Sequence, residues 1–492
     1  MSRRTSRARG EQSENDRSAR LGPEPLGGIA APDIWDVVVI GGGNAALVSA
    51  LTARHHVQNV LVLERAPQWL RGGNSRHTRN VRCVHLAADA YNTGSYLFDE
   101  LYGDLCAVGT GPSDEYLAQM TVKASETVPQ WMSDHGISWQ PPLTGTLHLG
   151  RTNRFFLGGG KALMNRYYRT AAEMGVTVAY EASAEEFITE GDAVTAVVVD
   201  VGGRREQVRA KAIVCAAGGF EANIDWLARY WGEAARNYII RGPVYNDGTM
   251  LQALYDLGAA SAGEEKGFHS TAVDARSPRF DGGIATRLDC IPFGVVVNRF
   301  AKRFYDEGEE LWPKRYAIWG RNIAEQDGQI AYAIWDSKVT GLFLPPMYGP
   351  VRADSLAELA ITLGLDSDTF AATLSQYNAA VVPGSFDSTL LDDCHTEGLE
   401  IPKSHWAQRI DQPPYFGIAM RPGITFTYLG VKVDEDARVR RADGSGFANV
   451  FAAGEIMSGN VLSSGYLAGF GLTIGTVWGR IAGSRAAELA SS

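Results

Sequence analysis

Between residues 72 and 82 the chain reads GGNSRHTRNVR. Arg76, His77, Arg79 and Arg82 fall within seven positions, behind two glycines, an asparagine and a serine. Guanidinium groups offer forked N–H donors that match a carboxylate or a phosphate. The cluster stands in a chain of formal net charge −10, so it is not part of a generally basic surface. That acidic balance argues against nucleic acid as a partner. A specific small anion is the chemistry these residues suit. The plainer alternative is a solvated basic loop, or one paired with acids of the core. Arg151 and Arg154, ahead of the glycine run 158–160, form a second basic site or are ordinary surface arginines.

Such residues must be held by a scaffold, and the sequence just before them supplies one. Residues 33–66 read DIWDVVVIGGGNAALVSALTARHHVQNVLVLERA. Val37 to Ile40 is a β-branched run of the kind that forms a buried parallel strand. Gly41 to Ala46 fits G-x-G-x-x-A and opens a helical pattern, and Val60 to Leu63 is a second strand ending in Glu64. This is a βαβ unit for a dinucleotide. Gly41 permits the tight turn, Gly43 lets backbone approach a pyrophosphate, and Ala46 lets helix pack on strand. The helix N-terminus supplies amide donors, extending through Asn44 and Ala45, and Glu64 can accept ribose hydroxyls. Later strands run into Ala216-Ala217-Gly218 and into Gly454-Glu455, and a glycine-rich turn at 465–471 precedes a long helix. The nucleotide fold begun at residue 33 is thus completed at the end of the chain, with another unit inserted between.

Composition sets wide bounds. The chain has 492 residues, 45% hydrophobic and 21% charged, enough for more than one domain. Cys83, Cys106, Cys215, Cys290 and Cys394 are odd in number and form no CxxC pair. They read as free thiols of a cytoplasmic protein, with no metal or iron–sulfur site. Residues 1–32 are polar and arginine-rich. Arg3-Arg4 is followed by no apolar run, so the segment is expected to be a disordered tail. No transmembrane span is expected.

The strings VIGGGNAA, LERAPQWLRGGNS, VCAAGGFEAN, YNDGTMLQALYDLGA, VVVNRFAKRFYDE and FAAGEI…GRIAG resemble the flavoproteins of the fumarate reductase/succinate dehydrogenase superfamily. GGNSRHTRNVR, QPPLTGTLHLGRTNRFFLGGGKAL, FYDEGEELWPKRYAIWGR, LDDCHTEGL and RPGITFTYLGVKVD are similar to the tricarballylate dehydrogenases within it. The resemblance implies an α/β fold: a Rossmann-like FAD-binding domain with an inserted α+β clamp domain. The first FAD-binding part is expected at 33–266, the clamp at 267–426 and the second FAD-binding part at 427–492. It implies desaturation of a polycarboxylate, with tricarballylate converted to cis-aconitate. A hydride goes to flavin N5 and a base takes the neighbouring proton. The same chemistry, or its reverse, on another acid or a keto compound is the alternative. A third reading is a flavin-bearing subunit that only relays electrons.

The resemblance also assigns residues. FAD would be held by Gly41, Gly43, Asn44, Ala45, Ala46, Glu64, Arg65, Gly72, Gly73, Asn74, Ser75 and Thr78. Further along, Ala216, Ala217, Gly218, Gly454, Glu455, Gly471, Leu472, Thr473 and Ile474 would complete the cradle. Asn74 stands where succinate dehydrogenases carry a flavin-linked histidine, so non-covalent FAD is expected, with His77 three residues away. Substrate contacts would come from Arg76, His77, Arg79, Arg154, His269, Thr286, Arg287, Thr427 and Tyr428. The superfamily's proton-handling arginine follows a string matched here by Val297-Asn298, Arg303-Phe304 and Glu307. Strict spacing puts Leu311 in its place, so Arg315 is the expected catalytic residue and Tyr466 the second candidate. Phe426 and Tyr466 replace a histidine and an arginine of the fumarate reductases, and GYLAGFG is similar to the turn of ketosteroid dehydrogenases. Ser463-Ser464 and the residues before His269 depart from the tricarballylate dehydrogenase pattern, which leaves the substrate open. Electrons would leave through an external acceptor. The resemblance points to a membrane-associated iron–sulfur/cytochrome partner.

Overall fold

The computed structural model describes residues 26, 32–108, 113–142 and 149–492. Most of the expected tail therefore lies outside the described residues. Leu26 is an exception: its side chain is buried in the main core and its N–H donates to Glu206 at 2.6 Å.

The first sheet is eight-stranded. It starts with β1 (Trp35–Ile40), α1 (Asn44–Arg54) and β2 (Val60–Glu64), as the apolar runs and the glycine turn require. β3 (Thr177–Tyr180) joins β2, and β4 (Arg204–Cys215) joins β1, all parallel. The strand Gly446–Ala452, from the end of the chain, pairs parallel with β4 at Val214 and Cys215. The glycine turns after β1, after β4 and after Ala452 therefore share the carboxyl edge of one sheet, where α/β folds bind ligands.

Helix α1 is almost wholly buried because a second helix covers it. The C-terminal helix Phe470–Ser491 presents Gly475, Gly479 and Gly483, four residues apart and so on one face. A Cβ at Gly479 would stand 2.8 Å from Ala45 O, and one at Gly483 2.3 Å from Ser49 O. The two backbones touch, and this seals the floor of the nucleotide turn.

The second sheet is six-stranded. Its members include β5 (Phe268–Asp274), β6 (Val295–Asn298), β7 (Ala331–Asp336) and the long β8 (Tyr415–Thr427). β7 pairs with the first half of β8 and β5 with the second. The two-residue strand Ile239–Ile240 also joins β8, opposite Gly423 and Ile424. The register of β5 slips between His269 and Ser270, a bulge that re-aims side chains at the end of the strand. Trp312, Tyr316, Trp319, Trp335 and Met420 pack a core of their own beside this sheet. The whole is a mixed α/β fold with a Rossmann-like sheet and a second α+β unit. Among the described residues no helix is long and apolar enough to cross a membrane.

Candidate functional site

A cleft of about 1610 Å³ runs from the carboxyl edge of the first sheet to the ends of β5 and β8. At its nucleotide end Gly41 has φ +109°, and a Cβ there would stand 2.3 Å from Ala216 O. Gly43 caps α1 in extended conformation with no side-chain cap and no acid in the first turn. The positive end of that helix faces the cleft. Asn44 N–H donates to Ser75 Oγ at 3.0 Å, which ties the 72–78 loop to the turn. Glu64 closes β2, where its carboxylate accepts from Ala66 N (2.9 Å), Gly72 N (3.0 Å) and Tyr168 OH (3.2 Å). Burial pushes this carboxyl up, and the hydrogen bonds only partly restore it. A carboxylate has about four lone-pair sites, so one remains for a ligand hydroxyl.

Most of the cofactor residues read from the sequence line this cleft: Gly41, Gly43, Asn44, Ala45, Glu64, Arg65, Gly73, Asn74, Ser75 and Thr78. Ala216, Ala217, Gly218, Gly454, Glu455, Gly471 and Leu472 line it as well. Ala46, Gly72, Thr473 and Ile474 stand behind the wall. Ala46 packs α1, Gly72 donates to Glu64, and the Thr473 hydroxyl donates to Arg82 O. Asn74 Nδ2 donates to Glu221 Oε1 and to Thr425 O, bridging loop 72–78 to β8.

The far end is the anion end, and the structure sorts the basic residues there. Arg79 is half-buried in the cleft wall, with its Nε and Nη2 buried and unpartnered. Arg241, which the sequence reading missed, follows Ile239–Ile240 into the same corner. It donates only to Gly283 O (3.2 Å) and Thr271 Oγ1 (3.3 Å). Arg287 lines the cleft with its Nε unpartnered and its Nη2 2.7 Å from Asp289. Burial first, and then the repulsion of Arg287, lowers Arg79 and Arg241 to about 10 each. This cluster thus sets three guanidiniums against one carboxylate, Asp289. Buried charge without a partner is costly, so the corner is one that an anion from outside could occupy.

His269, Tyr316 and Tyr466 complete it. The rings of His269 and Tyr466 are 4.0 Å apart between centroids. Tyr316 Oη is 3.3 Å from His269 Nε2, and His269 Nδ1 is unpartnered. Burial, Arg241 and Arg287 hold His269 well below its usual range, so it is neutral. Tyr466 OH accepts from Gly471 N at 3.1 Å.

Several expected contacts lie elsewhere, each for a local reason. Arg76 turns away from the cleft to Leu70 O (3.0 Å) and Asp281 (3.4 Å). His77 reaches the rim but is held by Asp281. Arg154 is spent on Asp89 and Asn92, over the Trp139 ring. Arg82 is a core residue, bonded to Ala468 O and Tyr96 OH. Thr286 bonds Gly283 O, Thr427 bonds Glu455, and Tyr428 is buried outside the cleft lining. Arg315 pairs with Glu309 and does not line the cleft. Its neighbour Tyr316 does, and an aromatic directly after the expected arginine was the only signal for it.

The model of the family described as "FAD binding domain" matches residues 36–472. The chain belongs to this FAD-binding family. A curated relative is the NADH:fumarate oxidoreductase of Klebsiella pneumoniae (strain 342), 27% identical over 96% of this chain and 50% of its own length. The chain spans about half the length of the first curated relatives it matches. Among solved structures, the open conformation of a flavocytochrome c3 fumarate reductase aligns with TM-score 0.73 at 21% identity, over 94% of this chain and 80% of that one. A 3-ketosteroid-Δ4-(5α)-dehydrogenase from Rhodococcus jostii RHA1 aligns with TM-score 0.69 at 22% identity, over 94% and 98%. These two likenesses concern the fold. The cleft fits FAD: a glycine cradle that side chains would fill, an open helix N-terminus for the pyrophosphate, and Glu64 for the ribose.

Proposed function

We propose that the protein is an FAD-dependent dehydrogenase that desaturates a small polycarboxylate, tricarballylate to cis-aconitate being the best-matched reaction. The observation that carries this reading is the buried corner of Arg79, Arg241 and Arg287, where only Arg287 has a carboxylate partner. When bound, FAD supplies two-electron hydride chemistry on a carbon–carbon bond. The protein's part is to bind, orient and move a proton. Arg79 and Arg241 take substrate carboxylates, and neutral His269 offers its Nδ1–H to one of them.

FAD is held non-covalently in this reading, since Asn74 occupies the superfamily's attachment position and His77 is engaged by Asp281. The division of the chain at residues 267 and 427, the cytoplasmic location, and an external acceptor such as a membrane-associated iron–sulfur/cytochrome protein belong to the same proposal. The second reading is the same chemistry on another acid or a keto substrate, favoured by Tyr466 in the cleft wall beside His269.

The test is anaerobic mixing of the FAD-loaded protein with tricarballylate, succinate, propionate and a cyclic ketone, watching flavin absorbance near ~450 nm. Bleaching by tricarballylate with release of cis-aconitate is the expected result. Bleaching only by keto compounds would replace the lead reading with the second.

A further inference from the structure

We infer that Tyr316 is the residue that exchanges a proton with the substrate carbon, in the role the family resemblance gives to Arg315. The inference rests on the desaturase reading and adds the base that reading lacks.

The geometry begins with the turn. Residues 312–315 form one helical turn, and Tyr316 opens the short helix that follows. Successive helical residues point about 100° apart, so Arg315 and Tyr316 cannot share a direction. Glu309 holds Arg315 outward, and Tyr316 enters the cleft. Its ring is pinned from two sides. His269 meets it edge-on at 5.6 Å between centroids, and the Arg287 guanidinium lies 4.8 Å from its centre. Its hydroxyl lies in hydrogen-bond range of His269 Nε2, at 3.3 Å.

The charges around it favour a phenolate. Arg287 comes from the loop after β5, Arg241 from the strand end at Ile240, and Arg79 and Arg82 from the opening loop. All four draw the phenol down against burial, which pushes it up and prevails. Tyr466 is the poorer candidate. Tyr316 and Glu455 add to burial in raising it, against the Gly471 N–H and Arg241, which draw it down. Tyr428 is raised far above its usual value by burial and does not line the cleft. His269 is held neutral and accepts at Nε2 from the Tyr316 hydroxyl. Its Nδ1 then carries the hydrogen, a tautomer assigned from that bond.

The step balances. A substrate C–H bond breaks heterolytically and its proton joins the Tyr316 phenolate oxygen. The electron pair stays on carbon and would become the second bond of the alkene, bound FAD supplying the two-electron acceptor for the vicinal hydride. In the reverse direction the neutral phenol returns the proton.

The experiment compares wild type with Tyr316→Phe, Tyr466→Phe and Arg315→Gln, and adds a variant carrying 3-fluorotyrosine at 316. Tricarballylate affinity is read by tryptophan fluorescence and flavin bleaching by stopped flow. Tyr316→Phe should bind tricarballylate within about threefold of wild type yet bleach about 10²–10⁴-fold more slowly. Tyr466→Phe and Arg315→Gln should stay within about tenfold. The lowered phenol pKa of fluorotyrosine should move the alkaline rise of the bleaching rate to lower pH. Its ¹⁹F signal should shift when tricarballylate is added, with or without FAD. Tyr316→Phe bleaching at the wild-type rate overturns the proposal, as does a pH profile unmoved by fluorotyrosine. If no acid bleaches the wild type, the desaturase reading fails. A ¹⁹F signal unmoved by tricarballylate would then remove Tyr316 as well, and a shifted one would keep it at the anion site.

Discussion

Arg287 holds Asp289 at 2.7 Å, while Arg79, which feels the same carboxylate, keeps two N–H groups with no partner. The asymmetry separates structure from recognition. Arg287 is paired inside the protein, and in the proposed function Arg79 meets the substrate anion. Replacing Arg79 by Gln should weaken tricarballylate binding by ~1.5–3 kcal/mol, the value of a charged hydrogen bond. FAD retention should not change. Calorimetric titration of the anion, with the flavin content of the purified variant, checks both halves. Equal loss of flavin would assign Arg79 to the cofactor.

The same arginine should cost the free protein stability. Its folded pKa of about 10 lies below the ordinary value of 12.5, so folding disfavours the charged form at neutral pH. An apolar replacement of similar length removes that burden. Arg79→Met is expected to raise the melting temperature by ~1–3 °C without substrate while abolishing tricarballylate-induced stabilisation. Differential scanning fluorimetry with and without the acid reads both effects. A variant that melts lower would show that the guanidinium is already satisfied.

Affinity should follow the protonation of that corner. Arg79 and Arg241 are both lowered to about 10, and the anion needs them charged. Tricarballylate affinity should be level from neutral pH to about 9 and fall as pH passes about 10. The bound anion itself raises both values, so the fall should begin at the free-protein values of about 10 and level off only at the higher values of the complex. Affinity measured across this range in Arg241→Lys, a group lost at lower pH, should decline earlier than in wild type.

The nucleotide end was legible in the sequence because its information is local. A buried strand, a glycine turn, a helix and a terminal Glu64 follow one another within 34 residues, and each signal needs only its neighbours. The anion end was legible only in part because it is assembled from a distance. Arg241 owes its place to a two-residue strand pairing with Gly423 and Ile424. Arg154 resembled a free cation because its partners, Asp89 and Asn92, lie more than 60 residues away. Between Arg315 and Tyr316 the choice rests on Glu309 and the sense of one turn, which motif spacing does not encode.

The seam between α1 and the C-terminal helix gives a prediction against helix propensity. In an exposed helix, Gly→Ala gains about 1 kcal/mol. At Gly483 the new Cβ would stand 2.3 Å from the carbonyl of Ser49, a backbone atom that cannot step aside alone. Gly483→Ala should therefore destabilise by ~1–3 kcal/mol, lowering the melting temperature. Because α1 opens the pyrophosphate turn, the flavin content of the purified protein should fall too. A variant of unchanged melting temperature would mean that the helices slide apart without cost.

Glu221 and Glu455 form a buried acid pair beside the cleft, with Glu221 Oε1 accepting from Asn246 Nδ2 at 2.8 Å and Glu455 Oε1 from Thr427 N at 2.9 Å. Burial raises both carboxyls, and Glu221 pushes Glu455 further up. Groups raised in the folded state stabilise it while protonated, below the ordinary glutamate value of about 4.3, and that contribution is lost as pH rises through the folded values. Wild type should therefore lose melting temperature steadily on the alkaline side of that value. Glu221→Gln cannot ionise and keeps an acceptor oxygen for Asn74 Nδ2, for Asn246 Nδ2 and for the protonated Glu455. Its melting temperature should fall less steeply over the same range, because Glu455 is still raised by burial, and should exceed wild type at alkaline pH. Glu221→Ala, which empties the site and leaves Asn74 Nδ2 without that acceptor, should melt lower than either. Parallel pH slopes in wild type and Glu221→Gln would place the titration outside this pair.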